Sequence, residues 1–204
     1  MYQAALNQAG DNKDGQLDVY AGMAMMVRAK IHMDVNDHQQ VLADVDMLIG
    51  DYSDNPRLPL SVFVIGEEYY NKAFRYEKEG LEAEARDSFT KALIVWERII
   101  TQLPESQSIG LKHAYFFSAV CYRRLGKYEK SIEYYQEVVD NRPDYPYAWD
   151  ALFRVGRNYE NLKGSGLISE SEADAKIRAA YEQLLAKYPD CKAAKAAQSW
   201  LEEN

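Results

Sequence analysis

The stretch Tyr115–Pro143, YFFSAVCYRRLGKYEKSIEYYQEVVDNRP, decides the fold. Tyr115, Ser118, Ala119 and Tyr122 are spaced three and four apart, so they share one face of a helix. Leu125-Gly126-Lys127 follows as a turn, because glycine adopts the left-handed backbone that closes a helix without a steric penalty. Ser131, Tyr135 and Val138 then repeat the helical spacing. Pro143 stops the second helix, since it has no N–H to donate and its ring clashes with the preceding turn. The segment therefore predicts two antiparallel helices joined by a short turn. The small residues at Ser118-Ala119 let the two backbones approach.

The same ruler fits further along the chain in both directions, and a repeated ruler outranks any local reading. Leu152, Val155, Gly156 and Tyr159 match the first helix of a following unit, with Ile177, Tyr181, Leu184 and Pro189 as its second. Between them Lys163–Ser171 is rich in Gly and Ser and predicts a loop, with Ser169 and Glu172 spaced as a capping box. Upstream, Val62, Ile65, Gly66 and Tyr69 pair with Ala92, Trp96, Ile99 and Pro104. These halves lie farther apart than in the other units. Added helical turns on both partners, over Asn71–Lys78 and Leu81–Thr90, keep such a pair in register, with the hinge at Gly80. A first unit is expected from Met25, Ala29 and His32 with Val41, Val45, Leu48 and Ser53. The endings Asp-Tyr-Ser-Asp at 51–54 and Lys-Tyr-Pro-Asp at 187–190 support that register. Residues 190–204 predict a capping helix with an apolar face at Ala193, Ala194, Ala197, Trp200 and Leu201. A lid of this kind covers the face that a further repeat would bury. Residues 1–19 form a separate N-terminal segment, in which Tyr2–Ala9 is expected to be the tail of a preceding repeat. Residues 20–204 form an array of about four units, with a long hairpin at 59–104.

These offsets closely resemble the tetratricopeptide repeat (TPR), a pair of antiparallel helices with large, small, aromatic and proline positions in this order. The departures are Arg28 and Ser118 in place of the usual Leu, and Ser131 in place of the usual Ala. The resemblance implies an all-α fold, a right-handed superhelix of antiparallel helix pairs with a C-terminal capping helix, that binds a peptide or a partner's helix in a concave groove. It also implies that the fifth position of each unit points into the groove. Those positions hold Met26, Phe63, Phe116 and Phe153, with Arg123, Arg124, Arg154 and Arg157 near the same face of the later units. The expected partner-binding residues are therefore Met26, Phe63, Phe116, Phe153, Arg123, Arg154 and Arg157. An aromatic row suits apolar anchors, and a basic strip suits carboxylates. The competing reading of the same row is packing between helices, and the arginines have acids such as Asp150 and Glu160 at hand. The Lys/Asn clamp by which some relatives grip chaperone C-termini is absent: Phe116, Val120, Phe153 and Arg157 stand at the inner positions. The ending Leu-x-x-x-Tyr-Pro-Asp at Leu184–Asp190 resembles bacterial cell-envelope repeat proteins, namely outer-membrane assembly lipoproteins and the Tol-Pal coordinator. It implies a periplasmic or envelope setting.

Composition trims the alternatives. The chain has 204 residues and a net charge of −8, with 47% hydrophobic and 27% charged residues, which fits one folded domain or two small ones. An acidic chain is a poor match to nucleic-acid phosphates, and no stretch approaches the length of a membrane-spanning helix. Cys121 and Cys191 do not define a disulfide by their spacing. His32, His38 and His113 stand apart from other metal ligands. Asp11–Gly15 has calcium-loop flavour, but the first and twelfth ligand positions would fall on Gly10 and Ala21. Gly164-Ser165-Gly166 lacks the strand and the Lys-Ser/Thr ending of a phosphate loop. No nucleophile has an activating context. The expectation is a cofactor-free, non-enzymatic scaffold for a protein or peptide. A self-assembling module, and hence a homo-oligomer, is the second reading, and a helical enzyme a distant third.

Overall fold

A computed structural model describes residues 28–30, 32–34, 36–53, 55, 57–103 and 109–204. The N-terminal segment 1–19, the Asp11–Gly15 loop, Met26 and Pro104 lie outside these residues. Among the described residues there are helices and no strands. After helical turns at 28–30 and 32–34 come α1 (His38–Asp51), α2 (Leu58–Glu79), α3 (Glu82–Gln102) and α4 (Ile109–Arg124). Then follow α5 (Tyr128–Asn141), α6 (Ala148–Gly164), α7 (Glu170–Lys187) and α8 (Ala194–Glu203). The fold is all-α and built of helical repeats. The chain forms two compact units, residues 1–114 and 115–204, with the boundary inside α4.

Recurring turns carry the repeat. Gly80, Gly126 and Gly166 each have positive φ, at 75°, 78° and 68°. At each, the glycine N–H bonds back to Glu77, Arg123 or Lys163, and the next residue bonds to Tyr76, Tyr122 or Leu162. This closure satisfies carbonyls that the helix end leaves bare, and it needs a residue without a Cβ penalty. The connections leading out of second helices recur as well. Tyr52, Arg142 and Tyr188 donate to Leu48, Val138 and Leu184. Asn55, Tyr145 and Cys191 then donate to Tyr52, Arg142 and Tyr188, and Leu58, Ala148 and Ala194 complete the ladder. The two endings that look alike in sequence thus share one hydrogen-bond ladder, through Tyr52, Asn55 and Leu58 in one and Tyr188, Cys191 and Ala194 in the other.

In the first unit, Asp37 caps α1 by accepting from Gln40 N at 3.1 Å, and Pro59 stands in the first turn of α2, where its missing N–H costs nothing. α2 and α3 run 22 and 21 residues, and their apolar faces meet around fully buried Trp96. A second polar focus is Asp44, fully buried, paired with Arg28 and bonded by Gln40 at 3.2 Å.

In the second unit, α6 continues to Gly164, so the expected loop Lys163–Ser171 shrinks to residues 165–169. The physical reason is local. Ser165 Oγ donates to the Asn161 carbonyl at 2.7 Å, and Lys163 bridges to Glu170 and Asp174 at 2.8 and 2.9 Å. Ser169 caps α7 by accepting from Glu172 N at 3.2 Å. The last helix starts at Ala194 rather than Asp190, because Cys191 and Ala194 spend their N–H groups on the connecting ladder. Cys121 and Cys191 are free thiols.

Candidate functional site

The phenylalanine row is first a packing device. In the first unit, Phe63 of α2 stacks on Trp96 of α3 with centroids 5.4 Å apart and planes 9° from parallel. Trp96 Nε1 donates to the Phe63 carbonyl at 3.0 Å. A Cβ on Gly66 would lie 2.2 Å from that nitrogen, so only glycine fits there. The second unit reuses the arrangement. Phe153 of α6 stacks on Tyr181 of α7 at 5.5 Å and 20°, and a Cβ on Gly156 would lie 2.4 Å from the Tyr181 ring. In the pair α4–α5, Phe116 meets Tyr135 at 5.5 Å, edge-on at 66°. Ser131 Oγ there donates to the Ala119 carbonyl at 2.7 Å. Each fifth-position Phe thus lies against the aromatic of its own second helix.

Burial follows from that contact. Phe63 is 3% and Phe116 5% exposed, while Phe153 is only partly covered. Two of the three described rings have little face left for a partner.

The arginines separate by what neutralises them. Arg154 Nε bonds Asp150 at 2.7 Å, one helical turn back, and its guanidinium lies 6.0 Å over the Phe116 ring. Exposed Arg157 pairs with Glu160 at 2.5 Å. Arg123 differs. It is partly buried, its Nε has no acceptor, and no ion pair reaches it among the described residues. Burial pulls its pKa below the usual guanidinium range, Tyr135 acts in the opposite sense, and Arg154 and Arg124 add to the lowering.

Sequence reasoning missed the aromatic floor beside these arginines. Phe116 contacts Phe117, Tyr145 and Tyr147 at 5.4, 5.7 and 5.6 Å. Tyr145 is 2% exposed and Tyr147 45%. Burial drives the Tyr145 hydroxyl pKa strongly upward. The available sequence signal is Tyr-Pro-Tyr at 145–147, between the two repeat rulers. Among the described residues no group of three His, Cys, Asp or Glu side chains could hold a metal ion. No described helix is long and apolar enough to cross a membrane.

Residues 112–145 and 150–190 each match a model of the tetratricopeptide repeat. These matches support the tetratricopeptide-repeat family. The TPR matches fall on α4 through α7 and include Phe116, Arg123, Phe153, Arg154 and Arg157, while Tyr147 lies between them at the N-terminal boundary of α6. TPRs generally mediate protein–protein interaction and scaffolding, and the family is typically non-enzymatic. No curated protein is significantly similar to the chain.

Proposed function

We propose that this protein is an interaction scaffold whose TPR-bearing second unit holds a peptide or partner helix along the first helices α4 and α6. The observation that carries this reading is the pair of TPR matches over 112–145 and 150–190. It is supported by accessible side chains beside those helices: Tyr147, Phe153, Arg154 and Arg157. Phe116 acts from beneath, fixing α4 against α5, and Phe63 does the same for α2 against α3 in the first unit. Met26 is the equivalent position of the first unit. Within this proposal, the Leu184–Asp190 ending points to an envelope or secretion assembly.

The test is selection of binding peptides from a random library on the 204-residue chain, followed by mapping of their contacts by NMR. Contacts should map to α4 and α6. Tyr147→Ala with Arg157→Glu should weaken binding about tenfold, the 1.4 kcal/mol expected of a modest hot spot, without changing the melting temperature. Peptides that map elsewhere, or none selected, would defeat the reading.

A further inference from the structure

We infer that Arg123 is the subsite for one side-chain carboxylate of the bound partner, set about 10 Å from an aromatic or large apolar residue that lies on Tyr147. This rests on the scaffold reading and names the partner's chemistry.

The argument begins with charge matching. Arg154 and Arg157 already have Asp150 and Glu160. Arg123 has no such partner among the described residues, and its Nε is buried without an acceptor. A guanidinium carries five N–H donors and keeps its charge at any working pH. Leaving one half-buried without a carboxylate is costly. The chain as a whole is acidic, at −8, yet no acid of the described residues pairs with Arg123. The neighbouring charges are Arg154 and Arg124, so the local field favours an incoming anion. One unmatched guanidinium fits a monoanion better than a phosphate dianion.

The spacing comes from α4. Phe116 and Arg123 are seven residues apart, two turns on one face, which is roughly 10 Å at 1.5 Å per residue. Tyr147 stands against Phe116 at 5.6 Å and is 45% exposed, so it marks the apolar end of the strip. A polyproline-type segment places residues i and i+3 on one side, roughly 9 Å apart. A partner reading apolar-x-x-acidic in that conformation spans the strip. Because the acid is internal, the chain terminus of the partner plays no part.

The probe is the capped tetrapeptide acetyl-Phe-Pro-Pro-Glu-amide, titrated into the 204-residue chain and followed at the Arg123 Nε–Hε resonance. The expected result is a saturable shift at Arg123, at least fivefold weaker with Gln in place of Glu, and weaker with Ala in place of Phe. Arg123→Met should lose the preference for Glu over Gln. Its melting temperature should stay unchanged or rise, because the side chain has no carboxylate partner among the described residues to lose. Equal binding of the Glu and Gln peptides, or no shift at Arg123, overturns the inference. So does an Arg123→Met variant that melts more than about 5 °C lower, which would make the arginine structural. Library peptides that still map to α4 and α6 in that event leave the scaffold reading standing. Inorganic phosphate shifting Arg123 at lower concentration than acetate overturns the carboxylate assignment.

Discussion

The hairpin α2–α3 and the hairpin α6–α7 solve one packing problem with different resources. Both place a glycine under a second-helix aromatic and stack a first-helix phenylalanine on it. In the long hairpin the aromatic is Trp96, wholly buried, and its N–H is satisfied by the Phe63 carbonyl. The extra turns add Phe74 and Phe89, 5.2 Å apart, and Tyr70 just before them lies 5.8 Å from Trp96. This hairpin thus carries its own aromatic extension. In the short hairpin the aromatic is Tyr181, whose hydroxyl donates to Glu160 at 3.3 Å. Its remaining edge is covered by Trp200 of α8, at 5.6 Å. The longer hairpin adds aromatic cover of its own to its key ring, whereas in the standard one the next helix of the array contributes a ring.

The largest expected effect separates the two. Trp96→Ala removes the biggest fully buried side chain and its hydrogen bond, and should cost about 3–5 kcal/mol in urea unfolding. Tyr181→Ala should cost less, because the Tyr181 hydroxyl already looks toward Glu160 and α8 can settle into part of the space. Equal losses would break the comparison and make the aromatic extension of the long hairpin energetically idle.

How much of this was legible in the sequence follows from the kind of information spacing carries. The positions Gly66, Trp96, Gly156 and Tyr181 were readable, because a small residue and a large one at fixed helical offsets must face each other. Gly80 and Gly126 were readable as turns. Gly166 falls inside the Gly- and Ser-rich stretch Lys163–Ser171, whose composition predicts a loop without saying which glycine closes α6. The phenylalanine row was readable as sharing a face, but periodicity alone leaves open whether that face meets solvent or the partner helix. Arg154 with Asp150 and Arg157 with Glu160 follow the i,i+4 and i,i+3 rules. That Arg123 has no such partner among the described residues depends on residues distant in the chain, so only the folded arrangement reveals it. The Tyr145–Tyr147 floor was missed for the same reason.

A smaller effect sharpens the shared feature. Gly156→Ala pushes a methyl group into the Tyr181 ring, 2.4 Å from its nearest atom, and should cost about 1–3 kcal/mol. Tyr181→Leu opens room for that methyl. A double-mutant cycle should therefore show a favourable coupling of about 0.5–3 kcal/mol. The equivalent cycle with Gly66→Ala and Trp96→Leu should couple more strongly. Three indole atoms lie 2.2, 2.6 and 2.8 Å from the added carbon, against 2.4, 2.8 and 3.1 Å for the tyrosine. Additive losses at either pair would show that the ring moves aside without resistance.

The smallest effect depends on pH and falls on one unit alone. All three histidines of the chain, His32, His38 and His113, precede Tyr115. Burial lowers the pKa of His113, which packs on Phe63 at 4.9 Å. Burial, chiefly, and then Lys91 lower that of His38, whose Nδ1 lies 2.9 Å from the Tyr69 hydroxyl. With folded-state values below the unfolded value of 6.5, the unfolded chain binds more protons below that pH. Stability is then complete above about pH 6.5 and falls as the pH drops through the folded-state values. Each histidine contributes at most about 1.4 kcal/mol per pH unit. Glu67 has the opposite sign, its pKa raised above 4.5 by burial and by Glu68, so it gains on acidification and partly offsets the loss. Native-state hydrogen exchange, corrected for intrinsic rates, should show α2–α3 loosening between pH 7 and 5.5 while α6–α7 holds. In His38→Gln the side-chain carbonyl can still accept from Tyr69, and the slope over that interval should flatten. Equal loosening of both hairpins would mean that something common to the two units, and not the buried histidines of one, sets their response to acid.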